Sequence, residues 1–239
     1  MGATISILRR ELSAYFNTPI GYVFMAFFLL LTCWFYVSTL FMQGTAEMRG
    51  YFGLLPIFFL FFVPAISMRL WAEERKLGTM EFLMTMPVTS AQAVLGKYFA
   101  GLLFIIFTLA ATAILPITLR ILGKPDMGPI IGGYLGATML GMIYLSIGAF
   151  ASSLTSDQIV AFVIGISINF IFFLMGHQPV LDWIKETSPA LASTVQRFGV
   201  DYHFESICRG VVDSRDVIYA LTITGFFLFL NVLVIERRR

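Results

Sequence analysis

Six runs of roughly twenty residues, none with Asp, Glu, Lys, Arg or His in its interior, set the terms for everything this chain can fold into. They cover about residues 20–42, 51–70, 97–119, 130–154, 158–176 and 215–235. A helix rises about 1.5 Å per residue, so each run is long enough to cross a hydrocarbon core about 30 Å thick. The chain is 58% hydrophobic and 13% charged, with a mean hydropathy of +0.85. A soluble domain of this length carries about a quarter charged residues. An all-α membrane protein with six transmembrane helices in one domain over 1–239 follows. Net charge is only +2, which gives no footprint for nucleic acid. The two cysteines, Cys33 in a span and Cys208 in a distant polar segment, predict no disulfide framework. The first apolar run starts near Ile20 and is too long for the core of a cleavable signal.

Between the runs the sequence predicts shorter helices. Over 3–16, Ile5, Leu8, Leu12, Tyr15 and Phe16 gather on one arc while Ser6, Arg10, Glu11 and Ala14 face away, the pattern of an interfacial helix. Pro56 and Pro64 predict a kink in the second span. In the fourth, Gly133, Ala137 and Gly141 recur at the spacing that lets helices approach closely, within one bundle or between two copies. After the fifth span, Ser188-Pro189 opens a short helix that Gly199 closes, and a second follows with Phe204, Ile207 and Val211 on one side. Asp213 is placed to cap the last span.

The most charged interior segment runs from Arg69 to Thr89. Helical spacing predicts a surface helix over 72–86, ended by Pro87, too short and too charged to span a bilayer. Leu77, Met80, Leu83 and Met84 share one arc, expected against the bundle. Glu74, Gly78, Glu81 and Thr85 share another, and Phe82 and Met86 form a smaller apolar spot open to a partner. A plain connector lying on the membrane surface fits the same pattern. With six spans both termini share a side, and nine basic residues on that side against seven on the other make it the cytoplasmic one.

These residues also carry a family resemblance. Glu73-Glu74-Arg75, Gly78-Thr79, Glu81, Leu83 and Pro87-Val88-Thr89 resemble the cytoplasmic signature of type-2 ABC transporter permeases, and the short chain resembles the permeases of gliding-motility-type exporters. The resemblance implies that the helix over 72–86 couples to a separate ABC ATPase subunit. Docking residues would then be Glu73, Glu74, Arg75, Gly78, Thr79, Glu81, Phe82, Met86 and Pro87. It further implies a second permease chain, identical or not, ATP and magnesium bound by the partner, and a bacterial-type cytoplasmic membrane. An auxiliary extracytoplasmic or membrane-anchored protein is compatible with it. The short helices after span five would cover the outer end of the path.

No phosphate-binding loop of the GxxxxGK[ST] kind occurs, so ATP chemistry is not expected in this chain. His177 and His203 lack zinc-ligand spacing and read as surface or packed residues; no metal or catalytic site is expected. Ion-coupled carriers place ionisable groups at depth, and the span interiors have none. Asn169, the costliest polar group in a span, is expected to bond between helices, with a substrate contact as the alternative. Three functions remain: the membrane subunit of an ATP-driven exporter, a non-transporting anchor for a soluble partner, and an ion-independent channel or carrier.

Overall fold

A computed structural model describes residues 2–43, 47–80, 88–123, 125–210 and 213–237. Its helices run in the order α1 (Gly2–Asn17), α2 (Pro19–Gln43), α3 (Arg49–Ser67), α4 (Arg69–Lys76), α5 (Ser90–Ala111), α6 (Ile114–Leu122), α7 (Met127–Leu154), α8 (Gln158–Gly176), α9 (Gln178–Thr187), α10 (Pro189–Phe198), α11 (Val200–Cys208) and α12 (Ser214–Glu236). Among the described residues no strand occurs. Six helical stretches are long and apolar enough to cross a membrane: α2, α3 with α4, α5 with α6, α7, α8 and α12.

The third span begins earlier than its apolar run. Thr89 accepts a bond from the Gln92 amide at 3.3 Å, and the Gln92 side chain accepts from the Thr89 amide at 3.2 Å. This reciprocal cap starts α5 at Ser90, which places Lys97 two turns inside the helix rather than at its mouth. The same span breaks at Thr112–Ala113 because Pro116 has no N–H and its ring crowds the carbonyl four residues back. Thr112 Oγ1 then bonds the Leu109 carbonyl at 2.7 Å and meets the Tyr134 hydroxyl at 2.9 Å.

Helix α7 is the centre of the bundle, packed against α3, α5, α8, α11 and α12. Its small residues make that possible. A Cβ at Gly133 would run into the Phe52 ring, and one at Gly141 would come within 3.1 Å of Ile105. Ala137 is fully buried. The stripe Gly133, Ala137, Gly141 therefore packs within the bundle, against spans two and three.

The bundle has two dissimilar ends. At one, which we call the clasped end, α1 lies across α5 and meets α4. At the other, the capped end, α9, α10 and α11 cover the bundle, three short helices where the sequence predicted two. Ser188 and Gly199 bound α10 as expected, although Ser188 makes no side-chain cap bond. Asp213 caps α12 through the Arg215 amide at 3.0 Å. Phe204 and Ile207 are buried on α11, while Val211 lies outside the described residues.

Two expectations are corrected. Helix α1 buries Ile7 and Tyr15 and turns Glu11 inward, whereas Ile5 is 57% exposed. Gly96 leaves room for Ile7 and for the Thr4 carbonyl, so α1 seats one position away from its apolar arc. The surface helix is not continuous over 72–86 either. Helix α4 ends at Lys76, and Gly78 takes the left-handed conformation, φ +69°. That is the usual C-terminal glycine stop. Leu77, expected against the bundle, is 67% exposed at the turn, while Met80 is buried as expected.

Candidate functional site

The site builds up from the junction of span two and α4. Helix α3 runs through both prolines, and its interruption falls at Met68, one turn beyond Pro64. There the Ser152 hydroxyl of α7 enters the backbone ladder. It accepts from the amides of Trp71 at 3.0 Å and Ala72 at 3.1 Å, and donates to the Met68 carbonyl at 2.6 Å. A side chain inserted in this way satisfies the freed groups and re-aims the helix. Leu70, Trp71 and Ala72 are buried, so α4 leaves the span anchored on one side.

Its other side carries charge. Glu74 Oε1 lies 2.9 Å from Lys97 Nζ on α5 and 2.8 Å from Arg10 on α1. Glu11 Oε1 lies 3.0 Å from the same lysine and 2.7 Å from the same arginine. Two cations and two carboxylates thus alternate in a ring that joins three helices. Lys97 is only 1% exposed, and its ammonium also sits 5.1 Å from the centre of the Trp71 ring. Stripping water from such ions is costly unless each keeps several partners, and here each ion has two. Burial alone would raise the Glu11 carboxyl, but Lys97 and Arg10 outweigh it and hold the group below the usual carboxylate range.

A second contact runs beside the ring. The Arg69 guanidinium lies 5.2 Å from the centre of the Tyr15 ring and 3.5 Å from Glu73. Tyr15 donates to the Ile66 carbonyl at 3.2 Å and stacks on Phe104 at 4.8 Å. Helix α4 is therefore bonded to α1, α5 and α7 together. Past α4 the chain folds back, with Thr79 Oγ1 bonding the Glu74 carbonyl at 3.3 Å and Arg75 Nε reaching Met80 Sδ at 3.4 Å.

The residues expected to dock a partner divide accordingly. Glu73 is partly exposed, and Gly78 and Thr79 are exposed at the turn. Glu74 is committed to the internal ring, and Arg75 is half-buried. Glu81, Phe82, Met86 and Pro87, with Leu83 and Met84, lie outside the described residues. Asn169 is fully buried, but neither amide atom has a hydrogen-bond partner among the described residues, so the expected interhelical bond is absent.

The ring is not visible in the sequence, where helical spacing turns Arg10 and Glu11 to solvent and the apolar run puts Lys97 at a span mouth. The Thr89-x-x-Gln92 pattern was the available signal: it moves the helix start back and puts Lys97 inside. Nor does the sequence show how the histidines are used. His203 Nδ1 lies 2.6 Å from Asp216 on α12, and its Nε2 lies 3.0 Å from the Arg197 carbonyl on α10. The ring stacks on Tyr219 with centres 4.0 Å apart. His177 meets Asp201 at 3.5 Å.

No curated protein matches the chain. Residues 58–233 match the model of a family described as ABC-2 family transporter protein. That match takes in spans three to five whole and most of spans two and six, with α4, its turn and the capping helices between them. Six membrane-crossing helices and a charged turn after the second agree with it, and the chain belongs to the ABC-2 transporter family as a type-2 ABC transporter permease.

Proposed function

We propose that this permease is the membrane subunit of an ATP-driven exporter of the gliding-motility type, and that it receives the force of a separate ABC ATPase at the turn after α4. The ATPase would bind ATP and magnesium, two permease chains would form the path, and the clasped end with both termini would face the cytoplasm of a bacterial-type membrane. One observation carries this reading: the ring of Arg10, Glu11, Glu74 and Lys97 couples the exposed turn at Lys76–Thr79 to spans two and three and to the N-terminal helix. A plain anchor needs a surface to hold a partner, but it has no use for a rigid joint behind that surface. The turn presents Leu77 outward next to Glu73, an apolar contact beside a charge, which suits a groove on a soluble protein.

The test is co-purification with the ATPase and hydrolysis after reconstitution. Leu77→Asp should weaken ATPase binding at least several-fold and leave the melting temperature of the permease alone, because the side chain touches solvent. Binding that survives Leu77→Asp moves the contact off this turn, and binding without stimulated hydrolysis makes the chain an anchor.

A further inference from the structure

At the capped end, far from the ATPase-facing turn and independent of that reading, a cleft of about 400 Å³ opens between the first turns of α3 and one face of α11. Its size falls in the range of about 300–1,000 Å³ typical of small-molecule sites. Arg49 stands at its mouth, on the first turn of α3. Among the described residues no carboxylate lies within ion-pairing distance of Arg49, and the same side chain borders a neighbouring cleft of about 240 Å³. On the facing helix Arg209 is held by Glu205 at 2.9 Å, and Asp201 lies one turn before Glu205. Two cations and two carboxylates therefore line one cavity, with Phe204 as its apolar wall.

Gly53 is the second observation. It sits inside α3, where glycine costs roughly 0.5–1 kcal/mol relative to alanine. Gly133 and Gly148 are wedged under neighbours, but a Cβ at Gly53, as at Gly225 in α12, would meet nothing within 4 Å, and of these two only Gly53 borders a cleft. Packing gives no reason for this glycine. Its missing side chain leaves the cleft open one turn below Arg49.

We propose that this cleft binds a phosphodiester carrying an ammonium group, the chemistry of a zwitterionic phospholipid headgroup. The phosphate takes Arg49 and Arg209, and the ammonium takes Glu205 and Asp201. The apolar stem lies against Phe204 and the open face at Gly53. A ligand with only an anion leaves the carboxylates repelling it, and one with only a cation leaves Arg49 unmatched.

Titration of the full-length permease in dodecyl maltoside, followed by calorimetry, tests this. Dihexanoyl-phosphatidylethanolamine should bind at least tenfold tighter than dihexanoyl-phosphatidylglycerol, which has the phosphate without the ammonium. Glycerophosphoethanolamine separates the sources: affinity equal to the lipid points to a soluble headgroup, and much weaker affinity points to the bilayer. Gly53→Leu fills the cleft with a residue that favours helix, and Arg49→Gln removes the free cation. Each should weaken binding at least tenfold while the ligand-free melting temperature stays within a few degrees of wild type. Equal affinity for the two lipids, or unchanged binding to a folded Gly53→Leu, overturns the assignment.

Discussion

The clasped and capped ends solve the same mechanical problem with different chemistry. Each must hold short surface helices against the ends of long apolar ones. At the clasped end the cations are Lys97 and Arg10, and each shares both carboxylates. At the capped end the basic partners of Asp216 and Asp201 are His203 and His177. Histidine is the side chain whose ordinary titration falls between pH 5 and 8. Both nitrogens of His203 face acceptors, so only the doubly protonated ring can donate to both. One end is thus fastened by a closed ring of four charges and the other by separate histidine–carboxylate pairs.

The sharpest way to break this contrast is to remove the hub of the ring. Lys97→Met leaves the half-buried Glu11 and Glu74 with Arg10 alone between them. Losing one partner of a buried ion cluster costs about 3–5 kcal/mol, which corresponds to a fall of about 10 °C or more in Tm. Removing Lys185 from its exposed pair with Asp182 should change Tm by about 1 °C at most. A folded Lys97→Met with wild-type Tm would show that the ring only decorates a packed junction.

A smaller effect is expected at His203, whose ring joins α11 to Asp216 on α12 and to the Arg197 carbonyl on α10. Hydrogen exchange, corrected for intrinsic rates, should show protection over 200–208 falling about five- to tenfold in His203→Leu, the equivalent of one bond of about 1 kcal/mol. Protection over 3–16 should not move in that variant. The clasped end answers to pH instead. The Glu11 carboxyl is held low, so its contribution is complete above about pH 4.3 and is lost only as pH falls through its lower value in the fold. Equal loss at both ends in His203→Leu would remove the distinction.

Apolar run length made the six spans legible, because the bilayer imposes a minimum length and forbids charge within it. Local chemistry made the boundaries of α10 and α12 legible as well, through Pro189 at the first helical position, Gly199 at the end and the Asp213 cap. What was not legible is where tertiary contact overrides a local pattern. The apolar arc of α1 points Glu11 at solvent until Gly96 lets the helix roll onto α5 and Lys97 supplies its counter-charge. Periodicity carried one helix through Gly78, where the backbone takes a conformation that suits glycine and stops the helix. Ser152 looks like any small residue in a span, and its role exists only because the backbone of span two is interrupted opposite it. The family signature includes Glu74 without showing that it faces inward.

The smallest predicted effect concerns the weaker histidine pair and sets how far the contrast extends. His177 and Asp201 lie 3.5 Å apart, with the histidine side chain 42% exposed and the aspartate 27%. Burial raises the Asp201 carboxyl, and the bond and charge of His177 only partly offset it. A raised carboxyl means that the folded chain holds its proton more tightly than the unfolded chain does. Stability from this group is then complete below about pH 3.9 and declines as pH rises through the higher folded value. At neutral pH the ionised Asp201 should cost a little stability, so this pair is no fastening of the kind His203 makes. Asp201→Asn keeps the shape and removes the charge. It should raise Tm by about 1–2 °C at pH 7, a gain under about 1 kcal/mol, and change nothing near pH 4. A fall in Tm at pH 7 would mean that the contact with His177 stabilises the charged Asp201, and the fastening of the capped end would then rest on two histidines rather than one.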